Sequence, residues 1–297
     1  MNRRDKIRSR VLRGIALNRQ PGFHFPGNFL DVSFDRVGRK GVQLSMEPGP
    51  WSADASGQTD LGALAILADL ALGASIRAQL ARETRVATVS LSLQFTGARH
   101  LGRLQARGEF QGFFERSTGR LGLSRVAVTG SAGQICYGTG SFMALAPPRG
   151  VMLHPVPLRK KGAREPKLPE ENDLDREERR ILARARAALA AGGNFIGNFW
   201  GGAKTLRNGL HAGNRVGHAQ GGILVALAAK NAVAQLRGGW LLSGISALYI
   251  SPGEGRTLRA ASTIVHRGGL TAVVRTQITA ANRRRVLEVL ATFNAGA

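Results

Sequence analysis

Residues 54–69 read DASGQTDLGALAILAD, and residues 214–229 read NRVGHAQGGILVALAA. A shift of 160 residues lays Gly57 on Gly217, Gly62 on Gly222 and Asp69 on Ala229. A fixed internal shift is the mark of a duplicated unit. Each stretch leads into a helix that is apolar nearly all round, so each helix needs cover on most of its sides. The polar positions differ between the copies. The first keeps an acid, Asp69, inside its apolar helix. The second keeps an amide, Gln220, and a glycine pair, Gly221 and Gly222, at the helix entrance. That division points to one site assembled from both halves.

Outward from these stretches the order of elements repeats. In the first half a helix over Leu61 to Leu80 is followed by strands at Thr88 to Phe95, Leu101 to Phe114, Leu121 to Thr129 and Gln134 to Leu145. In the second, a helix over Gly222 to Leu236 is followed by strands at Leu241 to Ile250, Thr257 to His266, Thr271 to Ala280 and Val286 to Asn294. Ahead of the first helix, Phe29 to Phe34 and Val42 to Met46 have strand character. Phe195 to Leu210 reads as irregular or extended. Residues 5–19 place Ile7, Val11 and Ile15 on one helical face with basic residues opposite, either as a helix packed on its own domain or as a DNA-binding arm without a recognition helix. Residues 172–191 begin with Asn and Asp and carry acids in the first turns, which starts a helix. The pattern is α+β: in each unit a curved antiparallel sheet wraps around one long buried helix. The predicted organisation is a first unit over 1–145, a segment at 146–171 and a second unit over 172–297. The connecting segment carries Pro147, Pro148, Pro155, Pro157, Pro166, Pro169 and the basic run Arg159-Lys160-Lys161. Its composition predicts an extended, solvated linker.

Composition narrows the functional classes. The chain has 297 residues, 43% of them hydrophobic, enough for two domains with real cores. Its single cysteine, Cys136, excludes an internal disulfide and reads as a small buried strand residue in a protein of a reducing cytosol. No apolar run is long enough to span a bilayer, and the first ten residues lack the apolar stretch of a signal peptide; the expectation is a cytoplasmic protein without a membrane partner. The net charge is +23, from 42 Lys and Arg against 19 Asp and Glu, but it is spread along the whole chain. With no zinc-ligand cluster, aromatic-basic RNA motif or complete helix-turn-helix, it predicts a solvated basic surface or attraction to a polyanionic small ligand rather than nucleic-acid binding.

The two stretches resemble hotdog-fold thioesterases, in particular the branch of phenylacetate-pathway acyl-CoA thioesterases. That branch carries N-x-x-G-x-x-H-G-G at a helix entrance, an aspartate within the helix and a later T-V-x-L strand. The resemblance covers roughly residues 20–145 and 193–296 and identifies the chain as a tandem, or double, hotdog. Asn214, Gly217, Gly221 and Gly222 match the entrance, with Gln220 at the histidine position and His218 two residues earlier. Asp69 matches the aspartate, and Thr88-Val89-Ser90-Leu91 matches the strand. The remaining positions depart from the pattern: Asp54, Asp60 and Leu61 stand at the entrance of the first half, and Ala229 replaces the second aspartate.

The resemblance implies an acyl-CoA thioesterase with one composite site made of Asp69, Thr88, Asn214, Gln220, Gly221 and Gly222. It implies no cofactor and no metal, coenzyme A entering only as part of the substrate, and a homo-oligomer such as a dimer of double hotdogs. In this reading Asp69 activates water or attacks directly, the glycine pair presents backbone N–H groups to the developing oxyanion, Asn214 positions the carbonyl or water, Thr88 holds water against Asp69, and Gln220 polarises the carbonyl. Each residue also has a structural alternative: Asp69 as half of a core ion pair, the glycines as packing residues, Asn214 as a turn cap. The opposite combination sets Asp54, Asp60 and Leu61 against Ala229 and Lys230; it lacks the acid and is expected to be degenerate. His218 reads as a supporting residue. Arg99-His100 and His266-Arg267 lie near strand ends, where coenzyme A phosphates are a further expectation. A non-catalytic acyl-CoA-binding or sensing protein is the alternative function. The hydratase branch of the fold is disfavoured because its D-x-N-P-x-H run is missing.

Overall fold

The computed structural model describes residues 1–81, 84–116, 119–146, 149–150, 153–160, 162–236 and 238–296. The first repeat contains α1 (Arg3–Asn18), α2 (Phe25–Leu30), β1 (Ser33–Gly38), β2 (Gly41–Met46), α3 (Leu61–Arg77), β3 (Arg85–Phe95), β4 (Leu104–Arg116), β5 (Gly119–Gly130) and β6 (Gly133–Leu145). The second contains α4 (Arg176–Ala190), α5 (Phe195–Trp200), β7 (Thr205–Arg207), α6 (Gly221–Val233), β8 (Trp240–Tyr249), β9 (Thr257–Arg267), β10 (Thr271–Ala280) and β11 (Arg285–Ala295).

The turn that launches each long helix is the same backbone built twice. Asp54 N–H donates to the Gln58 carbonyl at 2.7 Å, and Asn214 N–H donates to the His218 carbonyl at 2.6 Å. Gly57 and Gly217 both sit at φ 80°, a left-handed conformation that glycine adopts without Cβ strain. Isolated bridges recur as well, Ala53 with Thr59 and Gly213 with Ala219. The duplication read from the sequence is thus a duplication of hydrogen-bonded structure.

The strands form one antiparallel sheet in the order β1-β2-β4-β5-β6-β3-β8-β11-β10-β9-β7. β3 and β8 make the seam between the repeats, with pairs from Ser90–Leu248 to Gln94–Gly244. α3 packs on β1 to β6, and α6 packs on β8 to β11. The two helices also touch each other. A Cβ on Gly222 would lie 2.5 Å from the Ile66 backbone nitrogen, and one on Gly62 would lie 3.2 Å from the Ala226 Cβ. Residues 62 and 222 are equivalent, as are 66 and 226, so the contact is reciprocal and depends on small residues. Beside it α2 and α5 interlock: the Phe29 and Phe199 rings have centroids 5.3 Å apart, and Phe25 and Phe195 extend the cluster.

Two expectations are corrected and two are refined. Phe29 and Leu30 belong to α2 rather than to a strand, because His24 Nδ1 caps the helix by accepting from Gly27 N–H at 3.2 Å. Phe195 to Leu210 is not irregular throughout: Asn194 accepts from Gly197 N–H at 2.9 Å to start α5, and Thr205–Arg207 pairs with β9. α1 is no free arm. Its apolar face (Ile7, Val11, Ile15) is buried, and Arg19 is paired in a bidentate fashion with Glu178, both bonds 2.8 Å, where Asp175 and Glu178 also form the capping box of α4. The connecting segment is extended and mostly exposed among the described residues, as expected, yet it is also docked on the first repeat. Phe34 N–H donates to the Arg159 carbonyl at 2.8 Å, and Arg13 and Arg159 converge on Asp31 and Glu165. Pro147, Pro148 and Lys161 of that segment lie outside the described residues.

Cys136 is fully buried on β6, and burial pushes its thiol up to about 12. Among the described residues no helix is long and apolar enough to cross a membrane. The glycine contact between α3 and α6 gives a direct test. Gly222→Ala pushes a methyl group into the Ile66 backbone, so it should lower folding stability by about 1–3 kcal/mol in a denaturant melt.

Candidate active site

Asp69 sits two turns into α3, where Ala63 to Ala68, Ala71 and Leu72 are apolar and buried and Leu70 is half-buried. It is itself buried, at 8% exposure. An isolated carboxylate at such a place costs several kcal/mol unless hydrogen bonds replace its water. Two do. Thr88 Oγ1 donates to Asp69 Oδ1 at 3.1 Å, and Gln220 Nε2 donates to Oδ2 at 2.8 Å. The first donor lies on β3 of the same repeat; the second caps α6 of the other.

Local geometry places both donors. The pairing of β3 with β6 slips between Thr88 and Ser90, and such a bulge re-aims the side chains beside it. Gln220 is the N-cap of α6. Its Oε1 accepts from Ile223 N–H at 3.1 Å, which turns its amide nitrogen toward Asp69. Burial is the dominant influence on Asp69 and raises its pKa from 3.8 to about 6, while the Thr88 and Gln220 hydrogen bonds pull the other way. Among the described residues no ion pair holds it; its partners are the Thr88 hydroxyl and the Gln220 amide. Its two donors leave it a hydrogen-bonded carboxylate that gains and loses a proton near neutrality.

A cavity of about 860 Å³ opens on this carboxylate. Asp69, Thr88, Asn214, Gln220 and Gly221 all line it, with His218. Leu70, Gly73, Ala74 and Arg77 follow Asp69 along one face of α3, and Phe23, Phe34, Val86, Phe142 and Leu224 add apolar wall. Leu153, Pro155, Val156 and Leu158 of the connecting segment close part of it. Arg77, Arg85 and Arg215 bring positive charge to the lining.

The remaining expected residues take less direct places. Asn214 Oδ1 accepts from Val216 and His218 N–H at 3.0 and 3.1 Å, as Asp54 Oδ1 does from Ser56 and Gln58 N–H at 2.8 and 3.1 Å. Its oxygen therefore holds the turn, the alternative raised from the sequence. Gly222 lies in the α3–α6 contact and Gly221 at the cavity. His218 Nε2 is 3.0 Å from Glu254, and burial lowers its pKa. Among the described residues no group of three or more His, Cys, Asp or Glu is placed to hold a metal ion.

One lining residue escaped sequence reasoning altogether. Tyr249, at the end of β8, is half-buried, with its enclosed hydroxyl over the N-terminus of α6. Burial is the main cause that raises its pKa, and the charge of Asp69 adds to it. It lies outside the repeated stretch, and the scarcity of tyrosine, only two in the chain, was the one available signal.

The equivalent position in the other direction is built differently. Asp60 caps α3 by accepting from Gly62 N–H at 2.8 Å, and its carboxylate meets Lys230 Nζ at 3.0 Å and Asn194 Nδ2 at 2.9 Å. With Ala229 where Asp69 has its counterpart, an internal ion pair fills the place of a free carboxylate.

No protein-family model matches the sequence, and no curated protein matches it. Solved structures do. A candidate oleoyl thioesterase from Lactobacillus plantarum aligns with a TM-score of 0.55 at 11% identity, covering 86% of this chain and 96% of that one. An acyl-ACP thioesterase from Bacteroides thetaiotaomicron aligns at 0.52 and 10% identity, covering 84% and 96%. A hot dog fold protein of unknown function from Alicyclobacillus acidocaldarius aligns at 0.55 and 11% identity, covering 92% and 98%. The chain therefore has the hotdog fold.

The raised pKa of Asp69 makes a stability statement. A carboxyl with a folded pKa of about 6 against 3.8 opposes folding when ionised. That penalty is absent below pH 4, grows between pH 4 and 6, and reaches about 3 kcal/mol at most above pH 6. Asp69→Asn should therefore raise the melting temperature relative to the parent at pH 8 and change it little at pH 4.

Proposed function

We propose that the chain is a double hotdog, with units over residues 1–145 and 172–297, that hydrolyses an acyl-CoA thioester at one composite site between its repeats. The observation that carries this reading is the Asp69 carboxylate held by Thr88 of its own repeat and Gln220 of the other, facing a largely apolar cavity. An apolar cavity suits an acyl group, and Arg77, Arg85 and Arg215 suit the phosphates of a carrier. Likeness to thioesterases of the same fold supports the reaction class. The spacing of Asn214, Gly217, Gly221 and Gly222 favours the phenylacetate-pathway branch.

In this mechanism ionised Asp69 takes a proton from a water molecule whose oxygen attacks the thioester carbon. The carbonyl electrons move onto oxygen, and N–H groups at the start of α6, reached across Gly221, together with the helix dipole, favour that charge. Collapse breaks the carbon–sulfur bond. The thiolate takes the proton back from Asp69, leaving a carboxylic acid and coenzyme A thiol. Thr88 and Gln220 fix the carboxylate, so Gln220 positions the base rather than polarising the substrate. Direct attack by Asp69 expels the thiolate and gives a mixed anhydride, which water then hydrolyses to the same products.

Release of free thiol from a panel of acyl-CoAs tests this. The parent protein should turn over, and Asp69→Asn should lose at least about 100-fold. The rate should rise with pH through about 6, because Asp69 must be ionised to accept a proton. Tight binding without thiol release would identify a sensor instead. Asp60→Ala leaves Lys230 without its partner and should lower stability by about 2 kcal/mol, yet keep most of the turnover per folded molecule. Equal losses at Asp69 and Asp60 would contradict the one-site reading.

A further inference from the structure

We infer that the Tyr249 hydroxyl is the side-chain donor that holds the thioester carbonyl oxygen as it becomes an oxyanion. The inference rests on the hydrolytic reading above. It starts from a vacancy in the chemistry. Gln220 stands where a polarising donor is expected, but its oxygen is bound to Ile223 N–H and its nitrogen to Asp69. The Asn214 side-chain oxygen is engaged by its own turn. A side-chain donor that adds to the N–H groups at the start of α6 therefore has to be another residue.

Tyr249 is placed for that work. Its hydroxyl is buried and has no hydrogen-bond partner among the described residues. A phenol buried in this way usually finds a partner, because the unsatisfied group costs about 1–3 kcal/mol. Tyr249 and Asp69 line the same cavity. A Cβ on Gly221 would lie 2.9 Å from the Tyr249 oxygen and 3.2 Å from Asp69 Oδ2. The phenol and the base therefore approach the same side of the first residue of α6, where a side chain at residue 221 would crowd both. A thioester carbon that comes to Gly221 from the cavity has water on the Asp69 side and its oxygen toward the phenol. Near neutral pH the phenol keeps its proton, since burial and the Asp69 charge both oppose its ionisation. It gives a hydrogen bond and transfers no proton, so the balance of the hydrolysis is unchanged.

The seam explains how the residue arrives. Tyr249 ends the strand that pairs with β3, which carries Thr88. The pairing that joins the repeats thus brings the donor to the acid, and the hydroxyl belongs to the same repeat as Gln220.

Tyr249→Phe tests the inference, since it removes one oxygen atom and keeps the ring. Steady-state thiol release should show kcat reduced on the order of 100-fold, with KM little changed and the acidic limb of the pH profile still near 6. A thioether analogue of the substrate, which lacks the carbonyl, should bind the parent and Tyr249→Phe alike, which shows the pocket to be intact. Unchanged kcat, a rise in KM alone, a displaced acidic limb, or loss of thioether binding would each overturn the assignment. If the parent protein itself releases no thiol, the hydrolytic reading fails first, and this comparison is not reached.

Discussion

A carboxylate inside an apolar helix has to receive hydrogen bonds from outside that helix, and for Asp69 one of them comes from the other repeat. The 2.8 Å bond from Gln220 Nε2 ties the base in α3 to the N-terminus of α6. It forms only if the two helices approach closely, which Gly62, Gly222 and Ala226 permit. It also needs the sheet to continue across β3 and β8, so that each repeat faces the other. Packing, topology and the electrostatics of the site meet in this one bond.

Duplication followed by divergence explains the asymmetry. The two entrance turns retain the same hydrogen bonds and the same positive-φ glycine, although Asp54 stands in one and Asn214 in the other. Backbone structure tolerates that exchange because either side-chain oxygen accepts the same N–H groups. At the helix start the exchange is not neutral. Gln220 offers a donor to a buried acid, whereas Asp60 brings a second charge and needs Lys230 and Asn194 to neutralise it. One position became a donor to a buried carboxylate, and its counterpart became an internal ion pair.

The repeat, the buried helices and the unusual acid were legible in the sequence because each leaves a local trace: a constant shift, an unbroken apolar run, a charge inside that run. Gln220 was legible by position, though its duty as an orienting donor was not. The short helices α2 and α5 were missed because their strand-favouring aromatic residues are overruled by the side-chain caps His24 and Asn194. The docking of residues 153–159 was hidden because proline and charge look the same in a solvated linker and in a segment laid over a cavity. Tyr249 was hidden for a different reason. Its importance comes from a long-range strand pairing, which a linear motif does not record.

The most direct measurement is a crystal structure of Asp69→Asn with an intact acyl-CoA. The account predicts the thioester between residue 69 and Gly221, its carbonyl oxygen at hydrogen-bonding distance from the Tyr249 hydroxyl, and the acyl chain along the apolar wall of α3. A thioester bound instead beside Asp60 and Lys230, or outside the space between the repeats, would contradict it.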